Sequence, residues 1–248
     1  MQSEEGSVPA DDDPAECVDD DYVPPPTMGS LHLEAISEHI ARHIGPIYSV
    51  FHEITSEIVH VDVHYVRPTT GRDYITLVTS GMSDLPMNVP AECVDFRYAE
   101  LLINLPPDWP ISKEAFEDEN NFWPVRCLEW LARYPHREKT WLGWGHTWAT
   151  GDPPAPLAPD VPFTSFLIEL PLSAGPEFYR LEVAPAKTIN FYALVPLYTE
   201  EMNVKLRKGT EHLEKLFDRH GIDDIVDVGR RNVAKSGLSR LFWRPPRR

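Results

Sequence analysis

Residues Ser56–Met87, SEIVHVDVHYVRPTTGRDYITLVTSGMSDLPM, carry the clearest structural signal in the chain. From Ile58 to Val66, apolar residues on one face alternate with histidine and aspartate on the other. β-Branched residues with a period of two predict a strand and not a helix. The turn-prone run Arg67–Asp73 follows, and Tyr74–Thr79 is again rich in β-forming residues. These features predict an antiparallel hairpin with a longer loop.

A polar loop, Thr79–Met87, leaves the second predicted strand and is centred on Gly81. In such a loop Ser80, Ser83 and Asp84 can cap backbone N–H groups or contact a ligand. The sequence favours a structural role for this loop first and a functional role second.

Composition limits the classes of protein to which the chain can belong. Its 248 residues are 42% hydrophobic, which is enough for one large domain or two small ones. A formal charge of −16 argues against nucleic acid as the main partner, because a polyanion would be repelled. Cys17, Cys93 and Cys127 form no metal-binding or redox motif, so we expect a reduced, cytoplasmic setting. No membrane span or signal peptide is expected.

The two ends of the chain carry opposite charge. Residues 1–29 are acidic, contain no Lys or Arg and include Pro24-Pro25-Pro26, so we expect a disordered tail. Residues 229–248 are basic and contain no acid. We expect one folded domain between them, over residues 30–228.

Three helices are predicted from apolar stripes and end signals. The first is capped by Ser30 and stops at Gly45-Pro46. The second starts near Trp123-Pro124 and ends at Pro135, and the third spans Thr199–His220 with Gly221 as its stop. The residues expected to form their buried faces are Leu33, Ile36, Ile40 and Ile44; Val125, Leu128, Leu131 and Ala132; and Met202, Leu206, Leu213, Leu216 and Phe217.

The remaining pattern is β-rich, with about six strands in all. Beyond the hairpin, the predicted strands are Tyr98–Leu105, Phe163–Leu170, Glu177–Val183 and Ile189–Val195. Tyr98–Leu105 has apolar residues on both faces, as an interior strand does. We leave Tyr48–Ile54 unassigned and expect a linker or short helix over Glu114–Glu119. The predicted fold class is α+β: a single domain with a mixed, largely antiparallel sheet flanked by helices.

A second loop is marked by tryptophan and glycine, in Lys139–Trp148 (KTWLGWGHTW). Three tryptophans interleaved with two glycines let the backbone turn sharply while large rings pack over it. Exposed aromatic side chains beside such a turn would also form a binding hot spot.

Five motifs in order resemble the Suppressor of Fused domain in its bacterial form. They are TLVTSGMSDLPM (Thr76–Met87), YAELLINLPPDW (Tyr98–Trp109), WPVRCLEWLARYPH (Trp123–His136), TWLGWGHT (Thr140–Thr147) and INFYALVPLYTEEM (Ile189–Met202). The resemblance covers about Ile36–Phe217 and implies one mixed α/β domain. In animals, members of this family hold a transcription factor between this domain and a second lobe, whereas bacterial members include immunity proteins that neutralise toxins. Too few residues follow Phe217 for that second lobe, so we expect this domain to bind a partner by itself.

A metal site is one alternative. His60, Asp62 and His64 share one face of the first predicted strand, about 6.6 Å apart, and His146 could add a ligand. Together they would suit a metal-dependent hydrolase. The competing interpretation is that this face is the solvent-exposed side of a half-buried hairpin.

A catalytic triad is a second alternative, with Ser80 or Ser83 as nucleophile, His146 as base and Asp84 as its acid. No GxSxG motif supports it, and these residue types are common in any chain.

The function that the sequence favours is a non-enzymatic, cytoplasmic protein-binding domain, an immunity protein whose partner is a cognate toxin. An alternative is a regulator of another protein. We expect no catalytic residue, metal or cofactor. The residues expected to contact the partner are Ser80, Gly81, Ser83, Asp84, Trp141, Gly143, Trp144, Gly145 and His146.

Overall fold

The computed structural model describes residues 30–52 and 58–235 of the chain. The predicted acidic tail, residues 1–29, lies outside the described residues, as do residues 236–248 of the predicted basic tail.

Eight strands in the described part form one sheet. They are β1 (Ile47–Phe51), β2 (Asp62–Val66), β3 (Ile75–Ser80), β4 (Ala99–Leu105), β5 (Thr147–Ala149), β6 (Ser165–Glu169), β7 (Arg180–Ala184) and β8 (Lys187–Leu197). Their order is β1-β2-β3-β4-β8-β6-β5, and β7 also pairs with β8. Every pair is antiparallel except β4 with β8. The predicted α+β class with a mixed, largely antiparallel sheet is therefore confirmed.

The predicted hairpin is β2 and β3, but β2 begins four residues later than expected. Asp62 pairs with Ser80 in the last rung of the ladder, because β3 ends there and turns at Gly81. Strands β1 and β5 were not predicted, and all of β1 but its first residue lies in the segment that the sequence left unassigned.

Within the described ranges, four α-helices flank the sheet: α1 (Leu33–His43), α2 (Glu119–Arg137), α3 (Thr199–Lys208) and α4 (Thr210–His220). Helix α1 starts later than predicted, with His32 and not Ser30 at its N-cap. Helix α2 starts earlier, because Asp118 accepts a hydrogen bond from the Asn120 N–H at 2.9 Å and caps it upstream of the proline. Pro135 lies inside α2 and does not end it.

The long helix predicted over Thr199–His220 is wrong, since the chain breaks at Gly209. Gly209 has φ +88°, a conformation that favours glycine and does not belong to a helix. The break turns α4 so that Leu213 and Phe217 pack on β6 and β8. Leu206, expected on a buried face, is 63% exposed.

Helices cover both faces of the sheet, so β2, β3 and β4 are buried on both sides. The apolar stripe of α2 packs on one face, as predicted, with Leu128 and Leu131 fully buried. Helix α1 covers the other face through Ile36, Ile40 and Ile44. The hypothesis of a solvent-exposed His/Asp face is therefore wrong: Asp62 and His64 are each only 1% exposed.

The chain stays packed beyond residue 229, where the sequence predicts that the basic tail begins. The Arg230 guanidinium forms a buried ion pair with Glu201, at 2.7 Å from Nη1 to Oε1 and 2.6 Å from Nη2 to Oε2. It also donates to the Pro196 carbonyl at 2.8 Å. The folded part therefore extends to at least Lys235, whose Nζ lies 3.3 Å from Glu200.

Candidate partner-binding surface

The loop after β3 is organised around the buried carboxylate of Glu100 on β4. Its Oε1 accepts hydrogen bonds from the Gly81 N–H at 3.0 Å and from the Ser83 N–H and hydroxyl at 3.0 and 2.7 Å. Its Oε2 accepts from the Thr79 hydroxyl at 2.6 Å. Burial raises the pKa of Glu100, and these hydrogen bonds oppose that rise. The predicted structural role of the loop follows from this arrangement.

Gly81 makes that arrangement possible. Its φ is +110°, and a Cβ at this position would lie 1.8 Å from the carbonyl oxygen of His60. Asp84, 8% exposed, accepts from the Ser30 hydroxyl and the Leu31 N–H at 3.0 Å each, and so anchors the residues that lead into α1. Ser80, Gly81, Ser83 and Asp84 are thus buried and engaged within the domain.

The tryptophan segment lies beside the end of that loop. The Asn88 N–H donates to the Thr140 carbonyl at 3.1 Å, and the Leu142 N–H points at the Met87 sulfur at 3.4 Å. The two predicted loops are therefore neighbours, joined at Met87–Asn88, but the tryptophan segment is the one that reaches the surface.

Within that segment, Trp141 and His146 are half-buried and pack against each other, with ring centroids 4.3 Å apart. Gly143 lies under the Trp141 ring, where a Cβ would be only 2.7 Å from it. Gly145 has φ +80° and approaches Thr210 at the start of α4. Glycine at both positions brings the loop against its own tryptophan and against the helix.

Trp144 is the exposed member, with 48% of its surface accessible. Its indole N–H donates to Glu169 Oε1 at 2.6 Å, and the Leu170 N–H donates to the same oxygen at 2.8 Å. Glu169 is the last residue of β6 and is only 7% exposed. This bond fixes the indole at the mouth of a groove between β6 and α4.

Glu169 and the α4 residues of this groove were missed by the sequence reasoning. A carboxylate that directly follows the apolar run Phe166–Ile168 was a usable signal, because a charge at the end of a buried strand needs a partner. Burial and the neighbouring carboxyl of Glu214 raise the pKa of Glu169 to about 7. The groove therefore holds a carboxyl whose charge state changes near neutral pH.

The structure does not assemble the metal site that the sequence raised as an alternative. Asp62 Oδ1 lies 3.1 Å from both His60 Nε2 and His52 Nδ1, while His64 Nε2 instead bonds the Ser80 hydroxyl at 2.9 Å. His146 adjoins β5, five strand positions from β2, on the order of 24 Å away. Among residues 30–52 and 58–235, no group of three or more His, Cys, Asp or Glu side chains is placed to hold a metal ion.

The triad alternative fails on the same geometry. The Ser83 hydroxyl donates to Glu100, and Ser80 bonds His64 and not His146. Burial lowers the pKa of His64 to about 4, which keeps the imidazole neutral at physiological pH. The proposed nucleophiles, base and acid are thus held in separate networks.

Comparison with known proteins identifies the family. The family model of the Suppressor of fused protein (SUFU) matches residues 58–231, well over half of the chain. No curated protein matches the chain. None of the described helices is long and apolar enough to cross a membrane.

Solved structures share the fold at low sequence identity. A SUFU homolog from Neisseria gonorrhoeae FA 1090 is 21% identical, with a TM-score of 0.54 over 80% of this chain and 94% of that one. The Sufu–Fu complex structure matches with a TM-score of 0.58 at 13% identity, over 83% of this chain and 93% of that one. Drosophila Suppressor of Fused gives the same score and identity, but the match spans about half of its chain, 52%. At these identities the likeness concerns the fold alone.

Proposed function

The chain belongs to the Suppressor of fused protein family, and we propose that it acts by binding another protein through the surface around Trp144. The observation that carries this proposal is the exposed indole, held in place by Glu169 at the mouth of a groove. Tryptophan is the residue type most enriched among binding hot spots, and a pre-organised side chain loses little entropy on binding. The family likeness adds support, because one matched structure is a complex of Sufu with Fu.

In this proposal the nine residues expected to contact the partner divide into two groups. Trp141, Gly143, Trp144, Gly145 and His146 form the surface segment. Ser80, Gly81, Ser83 and Asp84 support it from inside, because their loop continues into Met87 and Asn88, which hold the segment. This division gives the buried residues a positioning role and the exposed tryptophan the contact.

We further propose that the partner is a toxin and that the chain is an immunity protein. Toxins that attack nucleic acid are usually basic, and a binder with a net charge of −16 would associate with them quickly. The bacterial form of the family, which the sequence motifs resemble, includes such proteins. A regulator of a different protein would use the same surface, so the two functions are separated by the partner.

Co-expression with the product of a neighbouring gene, if that product is toxic to the cell, tests the proposal. The wild-type chain should restore growth and form a complex that survives gel filtration. Trp144→Ala should lose both, whereas Trp130→Ala, which removes another exposed tryptophan on α2, should lose neither. A complex without growth rescue would refute immunity and leave protein binding standing. Full rescue by a folded Trp144→Ala variant would refute this surface.

A further inference from the structure

The groove beside Trp144 combines an apolar floor with a wall of carboxylates. Its volume is about 340 Å³. The floor is apolar because Leu167, Val195 and Phe217 pack there between the sheet and α4. The acidic residues that line it are Glu169, Glu214, Asp218, Asp223 and Asp224. None of the described residues that line it is Lys, Arg or His.

One of these carboxylates is buried without a full set of partners. Glu169 is 7% exposed, and its Oε1 already accepts from Trp144 and Leu170. Its Oε2 is buried and has no hydrogen-bond partner among the described residues. Glu214 faces it, but two carboxyls can bond each other only when one of them holds a proton. A buried acceptor with no donor is costly, so this oxygen is suited to a donor from outside the chain.

Asp224 is a useful contrast in the same groove. It is 2% exposed, and its oxygens accept from the Ser173 N–H, the Ser173 hydroxyl and the Asn104 side-chain amide. Its hydrogen-bonding capacity is used within the fold. Within the described part of the groove, the buried carboxylate oxygen that lacks a hydrogen-bond donor therefore belongs to Glu169, beneath the exposed indole, and not to Asp224.

We propose that this groove takes an arginine side chain of the partner protein, presented by an apolar segment; this rests on the proposed protein-binding function. The guanidinium donates to Glu169 Oε2 and to the Glu214 carboxylate. Its face stacks on the indole of Trp144, and its methylene stem and neighbours lie on the apolar floor.

Arginine fits this site better than lysine does. A guanidinium presents five N–H donors in a planar fork, so it can bond two carboxylates that belong to different elements, here β6 and α4. A planar cation also stacks on tryptophan, and it carries less tightly held water than an ammonium group. An ammonium group would satisfy the charge but not the stacking.

The probe is the peptide acetyl-Leu-Arg-Leu-amide, titrated into the full-length ¹⁵N-labelled chain at pH 8. The readout is the indole N–H resonance of Trp144, assigned by its loss in Trp144→Phe. We expect saturable shifts with a midpoint on the order of 1 mM, as for a small ligand. The isosteric citrulline peptide, which lacks the charge, and the lysine peptide should each bind at least about tenfold more weakly. Equal binding of either peptide would overturn the assignment to arginine.

Variants separate a specific site from general attraction to an acidic protein. Glu214→Gln should weaken the arginine peptide about tenfold, the loss expected for one charge-assisted hydrogen bond. Glu211→Gln is the matched control, since it removes one charge from the same helix α4 at an exposed residue outside the groove. Equal weakening by both variants would overturn the proposal. Circular dichroism of each variant checks that the fold is intact.

A pH series gives a readout that a purely structural role would not change. The titratable groups that interact with Glu169 are Glu214 on α4 and the phenol of Tyr179, and Asp218, Asp223 and Asp224 share its groove. Because arginine needs the ionised carboxylate, affinity should rise about tenfold from pH 6 to pH 8. Glu169→Gln should bind weakly at both pH values. A pH-independent affinity in the wild-type chain would contradict the proposal.

The experiment also tests another occupant, this chain's own basic segment, residues 236–248. Deleting it should leave the Trp144 resonance and the affinity for the peptide unchanged. A shifted resonance and tighter binding would instead make that segment the occupant. If the arginine peptide binds but no toxin does, the groove assignment stands and the proposed immunity function fails. If a toxin binds Glu214→Gln as tightly as the wild-type chain, the proposed function stands and the assignment of arginine to the groove fails.

Discussion

Replacing Glu169 by glutamine should remove a pH dependence of stability that a buried carboxyl imposes on the fold. The ordinary pKa of this group is 4.5, and burial together with Glu214 raises it to about 7. Each pKa unit corresponds to about 1.4 kcal/mol, so the rise corresponds to about 3 kcal/mol. Between the two values the folded chain holds a proton that the unfolded chain has released. The free energy of unfolding therefore falls as pH rises from 4.5 to about 7, and then stays level.

Urea unfolding at pH 5 and pH 8 measures this effect. From pH 5 to pH 8 the wild-type chain should lose about 2.5 kcal/mol more stability than Glu169→Gln does, because part of the effect is already lost below pH 5. Glutamine keeps an acceptor for the Trp144 indole N–H and offers an amide donor to Glu214, so the variant should fold. The comparison has to be with the variant, because His64, with its pKa lowered to about 4, adds stability as pH rises from 4 to 6.5.

The control is Glu211→Gln. Its free energy of unfolding should change with pH in the same way as that of the wild-type chain. If Glu169→Gln also runs parallel to the wild type, Glu169 ionises as an ordinary carboxyl. That outcome would contradict the raised pKa and the pH dependence expected for arginine binding, whereas the buried Glu169 Oε2 would still lack a donor in the part of the chain that the structure describes.

Three further outcomes follow from the fold. Gly81→Ala should cost more than about 3 kcal/mol, since φ is +110° and the new Cβ would lie 1.8 Å from the His60 carbonyl oxygen; a thermal melt close to wild type would contradict this. Arg230→Met should cost about 3–5 kcal/mol by urea unfolding, because it leaves Glu201 buried without its partner, and a loss below about 1 kcal/mol would argue against that pairing. Deleting Met1–Thr27 should change the melting temperature by only a few degrees, whereas a drop of about 10 °C would mean that the segment docks on the domain.

The sequence predicted the elements whose signal is local and strong. The stripe of α2 was found because its buried residues repeat at the helical period, and strand β4 because its run of apolar residues on both faces is typical of an interior strand. Strand β5, of three residues, was missed because it is too short to show a period. Strand β1 was left unassigned; it pairs only with β2 in the described sheet and is only partly buried, so its side chains do not alternate clearly.

The site was harder to predict because its parts are distant in the sequence. Trp144 was identified from its own motif, but Glu169 and Glu214 join it only through the packing of α4 on β6. That packing depends on Gly209, whose positive φ turns one predicted helix into two. Asp62 and His64 of β2 were misjudged for a similar reason: nothing in the alternation of Val59–Val66 shows that α1 covers the second face. Local patterns report which residues share a face, and tertiary packing decides what covers it.

The most direct test of partner binding at the Trp144 groove is the dissociation constant of the complex with the proposed toxin partner, measured by calorimetry. Trp144→Ala should weaken the complex by roughly 2 kcal/mol or more, about thirtyfold, while Trp130→Ala stays within about twofold of the wild-type chain. Melting curves recorded beside each titration should show both variants folded. A Trp144→Ala chain that is folded and binds the toxin as tightly as wild type would contradict binding at this groove.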